Sequence, residues 1–361
     1  MKTLILTTDE NSYSTNRLAE ETQKRGEQYE VINPSYLFSF VSATVPGHDR
    51  VYRKTDGKSE RIYQKNFDAI LPRVGGSLFQ HSLMLIKQFN ENMNTFSTAS
   101  ENGLRVCSNK LTTCQVLSSN RIRTPKQTLA HQPTDYKEII DLVGGLPCVA
   151  KLQKGSLGDG VMLLETELAA STSLRSFEKL GASVILQQFI NSGEPKSDLR
   201  IFVIGAETKE PKIYAYRRFS LDNDFRSNYT KSKLGETIEI TEEEEEMALN
   251  AAKVLRLGVA GVDIIRDHND NDKPYMIEVN GNPSLKGIEA VTKENVAGAI
   301  VDYILANYKK GGNSGSAQSL ATSLNNQAQP DETKSNLDVV NDYIKDNPDD
   351  ISGAIQRMNT L

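Results

Sequence analysis

Three oxygen-bearing side chains in residues 258–287 (GVAGVDIIRDHNDNDKPYMIEVNGNPSLKG) have the types and spacing to hold a hard cation. Asp263 lies in the first of two apolar, β-branched runs, and Glu278 and Asn280 lie in the second. Residues two apart in a strand share a face, so Glu278 and Asn280 project together. Pairing the runs as a hairpin about the polar turn between them brings Asp263 alongside. Two carboxylates and an amide oxygen suit Mg²⁺, which binds through one or two carboxylates plus substrate phosphates; Mn²⁺ accepts the same donors. A solvated strand face would account for two acids, but an unpaired charge inside an apolar strand, as at Asp263, is costly. A calcium loop explains the segment less well. Asp267, Asn269, Asn271 and Glu278 fall at its positions one, three, five and twelve, yet Asp272 stands where the sharp turn needs glycine, and the flanks alternate like strands.

A second group suits phosphate. Lys151 follows the apolar run 147–150 and precedes a loop that contains Gly155, Ser156, Gly158 and Gly160. Glycines let backbone N–H groups approach phosphate oxygens, and a lysine on the adjoining strand adds positive charge. This is not a Walker loop, because no Gly-Lys-Ser/Thr opens a helix. It is not a dinucleotide fingerprint, because strand-like residues 161–164 follow where a helix should start. Glycine-rich turns between strands are common, so the loop by itself is a weak signal. The run VILQQFI (184–190) reads as a strand whose end lines an adenine pocket through backbone groups. Asp198 and Arg200 follow in SDLRIFV, Arg217 and Arg218 end another strand, and DFRSN (224–228) is a compact polar loop. Each arginine taken singly reads as a surface ion pair; their order along the chain with Lys151 and the Asp263/Glu278/Asn280 set is what gathers them into a site.

The elements that must position these residues fall into blocks. Residues 1–107 alternate strand signals (3–7, 29–33, 67–72 and near 105–108) with helix signals (14–25 and 82–92), which implies an open, largely parallel α/β sheet. Residues 108–310 open with a helix at 111–119. Strands follow at 147–152, 161–164, 183–190, 201–205 and 212–219, with a helix near 171–179, as expected of an antiparallel α+β region. Thr241 with Glu244 three residues on is a capping-box pattern, so the acidic run 242–246 reads as a helix start. Residues 311–334, rich in Gly, Ser, Asn and Gln, read as a flexible linker. Residues 335–361 carry Leu337, Val340, Ile344, Ile351, Ile355 and Met358 near helical spacing and read as a short helical tail.

The 361 residues, 38% hydrophobic and 25% charged, are ordinary for a globular chain of two or three domains. A net charge of −5 argues against direct nucleic-acid binding. Three scattered cysteines and four scattered histidines give neither a disulfide framework nor a zinc spacing. The absence of an apolar leader or membrane-length apolar run makes a reducing cytoplasm the expected location, away from membranes.

Across residues 1–308 the chain resembles the RimK-type glutamate ligases of the ATP-grasp superfamily, whose best-known member modifies a small-subunit ribosomal protein. The resemblance is carried by LPRVGGS (71–77), SNKLTTCQVL (108–117), VGGLPCVAKLQKGSLGDGV (143–161), DLRIFVIG (198–205), DFRSN (224–228), GVAGVDIIR (258–266) and IEVNGNPSLKGIE (277–289). It implies an N-terminal pre-ATP-grasp domain (1–107) and a two-lobed ATP-grasp domain (108–310). It further implies that Lys110 and Lys151 hold ATP phosphates under the loop from Gly155 to Gly160, that Gln188 and Phe189 sit at the adenine, and that Asp198 lies toward the ribose. Arg226, Ser227 and Asn228 would contact the nucleotide, Asp263, Glu278 and Asn280 would carry Mg²⁺, and Arg218 would face the transferred phosphoryl group. The implied reaction is ATP-dependent joining of an amino acid, glutamate, to the carboxylate of a peptide or protein, a ribosomal protein among the candidates, by a homo-oligomeric enzyme. Two departures bear on substrate: Gln188 replaces a frequent acidic residue, and Tyr229-Thr-Lys-Ser-Lys-Leu-Gly replaces a His-Arg-Gly-Gly-like loop. A ligase acting on a small metabolite or biosynthetic peptide, and a non-catalytic ATP-binding regulator of synapsin type, are the alternatives. Arg73, Arg217, Arg218, Arg226, Lys231 and Lys233 form a basic set expected to receive an anionic acceptor.

Overall fold

The computed structural model describes residues 1–42, 50–55, 57–62, 66–129, 136–152, 160–221 and 234–310. The linker and tail read at 311–334 and 335–361 lie outside the described residues. The chain forms two compact units. Among the described residues, one comprises Met1–Asn11, Thr22–Ser97 and those from Ile304 on; the other comprises Ser12–Glu21 and Thr98–Tyr303.

In the first unit the order is β1 (Lys2–Thr7), α1 (Tyr13–Lys24, shared with the second unit), β2 (Gln28–Ile32), β3 (Leu37–Phe40), β4 (Arg50–Thr55), β5 (Lys58–Ile62), β6 (Ala69–Arg73), α2 (Phe79–Lys87) and β7 (Phe96–Ser97). A parallel sheet runs β2-β1-β6-β7. Its inner strands read as continuous apolar runs because both faces are covered: Leu4, Ile5, Leu6 and Ile70 have no exposed surface. The antiparallel sheet β3-β4-β5 has no counterpart in the sequence reading, because RVYRKT and KSERI carry charge where a strand signal needs β-branched residues.

The second unit continues with α3 (Glu101–Cys107), α4 (Lys110–Ser119), β8 (Gln127–Leu129), α5 (Tyr136–Leu142), β9 (Cys148–Leu152), β10 (Val161–Leu164), α6 (Glu167–Lys179), β11 (Val184–Gln188), β12 (Ser197–Ile204), β13 (Lys212–Phe219) and β14 (Gly235–Thr237). It closes with α7 (Glu242–Val254), β15 (Val259–Asp267), β16 (Lys273–Asn280), α8 (Leu285–Thr292) and α9 (Val296–Asn307). The strand expected near 105–108 is instead the end of α3. Ser100 caps that helix by accepting from the Gly103 N–H, and Glu101 lies in its first turn, so local capping overrides a short apolar run.

Two antiparallel sheets dominate this unit, β10-β9-β11-β8 and β14-β13-β12-β15-β16. In the smaller sheet, Cys148, Ala150, Leu164, Val184 and Leu186 pack with Ile140, Val143, Ala170 and Leu174 from α5, its end and α6. That core occupies one face, so the alternate residues Lys151, Gln187 and Gln127 are left on the other. Helix α7 has the capping box that its sequence announces: Thr241 accepts from the Glu244 N–H and Glu244 from the Thr241 N–H. The first turns of α1 belong here because Tyr13 Oη and Arg17 Nε donate to Glu289 of α8 at 2.8 and 3.0 Å, and Ser14 Oγ accepts from the Leu285 N–H.

Candidate active site

Strand register assembles the site. On β12, Asp198 and Arg200 alternate with buried Leu199 and Ile201. Asp198 pairs across to Arg218 on β13. Arg200 pairs to Tyr216 on β13 and to Asp263 on β15, and Asp263 pairs to Glu278 and Gly261 to Asn280 on β16. Directly opposed residues share a sheet face, so Arg218, Asp198, Arg200, Asp263, Glu278 and Asn280 form one polar band over four strands. The hairpin expected of 258–287 is present, with a feature the sequence did not announce: the register slips between Asp263 and Ile264, so that Ile264 faces Met276 and Asp263 faces Glu278. Ile277 is the extra residue. Without this bulge Ile277 would oppose Asp263, and the two carboxylates would lie on opposite faces. Gly261 is required where it stands, since a Cβ there would lie 2.6 Å from Pro283 Cβ, in the turn that follows Asn280.

The band is strongly coupled. Arg218 forks onto Asp198, with Nε–Oδ1 2.6 Å and Nη2–Oδ2 2.7 Å, and its Nη2 lies 3.0 Å from Asp263 Oδ2. Arg200 grips Asp263 through Nε to Oδ1 and through Nη2 to Oδ2, the latter at 2.7 Å. Burial would raise the Asp263 carboxyl, but Arg200 and Arg218 outweigh it and hold it below the ordinary range. Burial lifts Asp198 to about 6 against the pull of Arg218. Burial would lower Arg218, yet Asp198 and Asp263 keep it well above its usual value. Glu278, by contrast, is exposed.

The smaller sheet supplies Lys151. Its Nζ donates to Gln187 Oε1 at 2.8 Å, and Gln127 Nε2 donates to the same oxygen at 3.1 Å. Burial pulls the ammonium down to about 8, Glu278 and Asp263 pull it up, and the charge of Lys110 pushes it down. Lys151 therefore feels the acids of the larger sheet and the first residue of α4, a helix capped by Asn109. Gln188 accepts from the Lys126 N–H through Oε1 at 3.3 Å, and its own N–H donates to the Lys126 carbonyl. Phe189 carries Lys196 Nζ 5.7 Å from its ring centroid. Gly160 sits at φ +78° and its carbonyl accepts from the Leu152 N–H. Gly155, Ser156, Gly158, Arg226, Ser227, Asn228, Lys231 and Lys233 lie outside the described residues. Arg73, at the end of β6 in the first unit, is lowered by burial to about 10, and Arg217 Nη1 donates to Glu236 at 3.3 Å.

Sequence reasoning missed the grip of Arg200 on Asp263 and the part of Gln187. Period-two alternation held the signal for both: Arg200 is two residues from Asp198, and Gln187 shares a face with Lys151. The cysteines near the site are held toward the neutral thiol form. Burial, reinforced by Glu278, pushes Cys107 up to about 12, and burial raises Cys114, whose thiol donates to Thr124 Oγ1.

In type these donors suit a hard cation, although both Asp263 oxygens are engaged by Arg200 and Arg218 in this structure. The Asn280 amide nitrogen is buried without a hydrogen-bond partner, and turning the amide over would present its oxygen at that spot. Among the described residues no three of His, Cys, Asp or Glu gather as a metal cluster. Two carboxylates and an amide, completed by substrate phosphates, match the incomplete protein ligation typical of Mg²⁺.

Two antiparallel sheets that turn a lysine and a carboxylate–arginine band toward one region make an ATP-grasp architecture. A RimK-like ATP-grasp domain model matches residues 107–304, and a RimK pre-ATP-grasp domain model matches residues 1–104. The chain belongs to the RimK-like ATP-grasp family, a family of ATP-dependent ligases. It is 35% identical over 313 residues to a probable alpha-L-glutamate ligase of Vibrio parahaemolyticus, covering 87% of this chain and 98% of the relative. It shares its fold with a Chryseobacterium gregarium RiPP-associated ATP-grasp ligase solved with ADP and a leader and core peptide (TM-score 0.63, 18% identity, 85% of this chain, 97% of the other). It also shares it with a RimK domain ATP-grasp protein from Sphaerobacter thermophilus (TM-score 0.58, 18% identity, 84% and 99%). Among the described residues no helix is long and apolar enough to cross a membrane.

Proposed function

We propose that the protein adds glutamate to the carboxylate of a peptide or protein, at the cost of ATP converted to ADP and phosphate. The polar band from Arg218 to Asn280 carries this reading, because it supplies the positive charge and carboxylates that carboxylate activation by ATP needs. Lys110 and Lys151 hold the ATP phosphates beneath the loop from Gly155 to Gly160. Gln188 and Phe189 border the adenine, and Arg226, Ser227 and Asn228 complete the nucleotide contacts. Asp263, Glu278 and Asn280 would hold Mg²⁺, with Mn²⁺ as a substitute, and such an ion would supply positive charge to the phosphates.

An acceptor carboxylate oxygen attacks the γ-phosphorus, the bond to the ADP oxygen breaks, and an acyl phosphate forms. The glutamate amine then attacks the acyl carbon, loses a proton, and the tetrahedral intermediate expels phosphate as the amide forms. Arg218 stands at the developing negative charge, fixed there by its fork to Asp198, and Arg200 fixes Asp263 in the same row. Positioning and charge neutralisation are the protein's main contributions. Of the basic set, Arg218, Arg226, Lys231 and Lys233 receive the anionic end of the acceptor, whereas Arg217 opposes Leu199 and so belongs to the other face of the sheet. The enzyme works in the cytoplasm as a homo-oligomer, divided at 107/108 into pre-ATP-grasp and ATP-grasp domains, and a ribosomal protein is one candidate acceptor. A biosynthetic peptide is the second acceptor class, favoured by the replacement of the His-Arg-Gly-Gly-like loop by Tyr229-Thr-Lys-Ser-Lys-Leu-Gly.

The test is incubation with ATP, Mg²⁺, glutamate and candidate peptides. Mass spectrometry should find glutamyl additions that track ADP release. ATP binding without any addition across protein and peptide acceptors would support a regulator instead.

A further inference from the structure

We propose that Gln187 is a positioning residue for the phosphate-binding lysine: it holds Lys151 Nζ at the nucleotide and is itself held by Gln127. The inference rests on the reading of Lys151 given above and adds two residues to it. In β9 and β11, Ile185 opposes Lys151 and Gln187 opposes Val149, so Lys151 and Gln187 are diagonal neighbours on one face. Gln127 opposes Gln187 across β11 and β8. The three polar side chains thus cross three strands on the face opposite the apolar core, joined by contacts of 2.8 and 3.1 Å through one oxygen, Gln187 Oε1.

Gln187 is 4% exposed. A buried amide oxygen with two donors has one stable orientation, because turning the amide over would set an NH₂ group against the Lys151 ammonium and the Gln127 amide. A lysine side chain has four rotatable carbons and no preferred end point of its own. The fixed acceptor confines the ammonium and leaves its remaining N–H donors for phosphate. The charged groups facing Lys151 include Glu278, Asp263 and Lys110, with Cys114 also near. Of these, the two carboxylates compete with phosphate for the ammonium. Gln187 is the neutral acceptor in the set, so it anchors the lysine without repelling the triphosphate.

The test is a binding cycle, which needs no acceptor peptide. A non-hydrolysable ATP analogue with Mg²⁺, and adenosine alone, are titrated by calorimetry into wild type, Gln187→Met, Lys151→Met and the double variant. Gln187→Met keeps length and loses the acceptor. It should weaken the nucleotide about tenfold, as loss of a hydrogen bond to a charged group does, and leave adenosine within about twofold of wild type. In the Lys151→Met background it should have no further effect, because the cycle isolates coupling between the two residues. Additive losses, or equal weakening of adenosine and nucleotide, would show a general packing role and overturn the proposal. If Lys151→Met weakens the nucleotide but Gln187→Met does not, the proposal fails and the assignment of Lys151 stands. If Lys151→Met has no effect, the assignment of Lys151 itself fails. Should Gln187→Met not fold, Gln127→Met at the partly exposed end of the chain replaces it, with a loss of about threefold expected in the same direction and no loss overturning the proposal.

Discussion

At the residue scale, the site separates a shielded carboxylate from an open one. Asp263 is 3% exposed and engaged by two guanidinium groups, whereas Glu278 across the ladder is exposed. The two are therefore expected to respond differently to substitution. Glu278→Ala should lower turnover at least about a hundredfold, in keeping with loss of charge stabilisation at a transferring phosphoryl group, while its melting temperature stays within about 2 °C of wild type. Asp263→Ala should lose activity and also unfold earlier, because it removes the partner of half-buried Arg200 and one of the two carboxylates of buried Arg218. Kinetics and thermal unfolding on the same samples separate the two. Near-normal activity in Glu278→Ala would remove the metal assignment. Lys151 makes a pH-dependent prediction. Burial brings it to about 8, below the ordinary lysine value, so the unliganded ammonium is about half deprotonated at that pH and mostly so by pH 9. Bound phosphate favours the charged form, so nucleotide binding above pH 8 should take up protons. Calorimetry at pH 9 in buffers of different ionisation enthalpy measures this. Lys151→Arg, always charged, should show smaller uptake, and equal uptake in both proteins would contradict the assignment.

At the scale of elements, helix α7 shows how much a short motif can carry. Burial would raise Glu244, but the Arg266 fork at 2.6 and 2.8 Å and the Thr241 N–H overcome it, and the carboxyl lies below its usual value. A depressed carboxyl stabilises the fold above its unfolded value near 4.5 and loses that contribution as pH falls through the folded value. Wild type should therefore lose more stability than Glu244→Gln between pH 5 and pH 3, read from melting temperatures. Thr241→Ala should cost about 1 kcal/mol at neutral pH, the usual loss for a helix N-cap. This cap and the hairpin of β15 and β16 were legible in the sequence, since each is a local pattern with one structural solution, whereas the strand read at 201–205 begins four residues earlier, at Ser197. The bulge at Ile277 was not legible. It is a matter of register between two strands, which the residue types within either strand do not specify. Strands β4 and β5 were hidden for a different reason, since their charged residues give no apolar alternation, and the end of α3 looked like a strand because a short apolar run there is overridden by the Ser100 cap. In the site, residue types announced Asp263, Glu278, Asn280 and Lys151; the partners Arg200 and Gln187 became visible only when strands were set in register.

At the scale of the whole molecule, the two family domain models together span residues 1–304 with a two-residue gap. The relative from Vibrio parahaemolyticus is covered almost completely while 13% of this chain stays unmatched. The ligase chemistry is therefore expected to reside before residue 311. A protein ended after Lys310 should bind nucleotide and release ADP with a short peptide acceptor at rates within about threefold of the full chain, a change of less than about 1 kcal/mol in barrier. Failure of that protein to fold or to turn over ATP would make the last 51 residues part of the catalytic body. The most direct test of the ligase mechanism follows the oxygen atoms. With a peptide acceptor whose reacting carboxylate carries ¹⁸O, the acyl-phosphate route transfers one labelled oxygen to inorganic phosphate for each glutamate added. Phosphorus NMR should show that isotope shift in the phosphate, with ADP as the nucleotide product. Label appearing in AMP, with pyrophosphate released, would mean that the carboxylate is adenylated and would contradict phosphoryl transfer at this site.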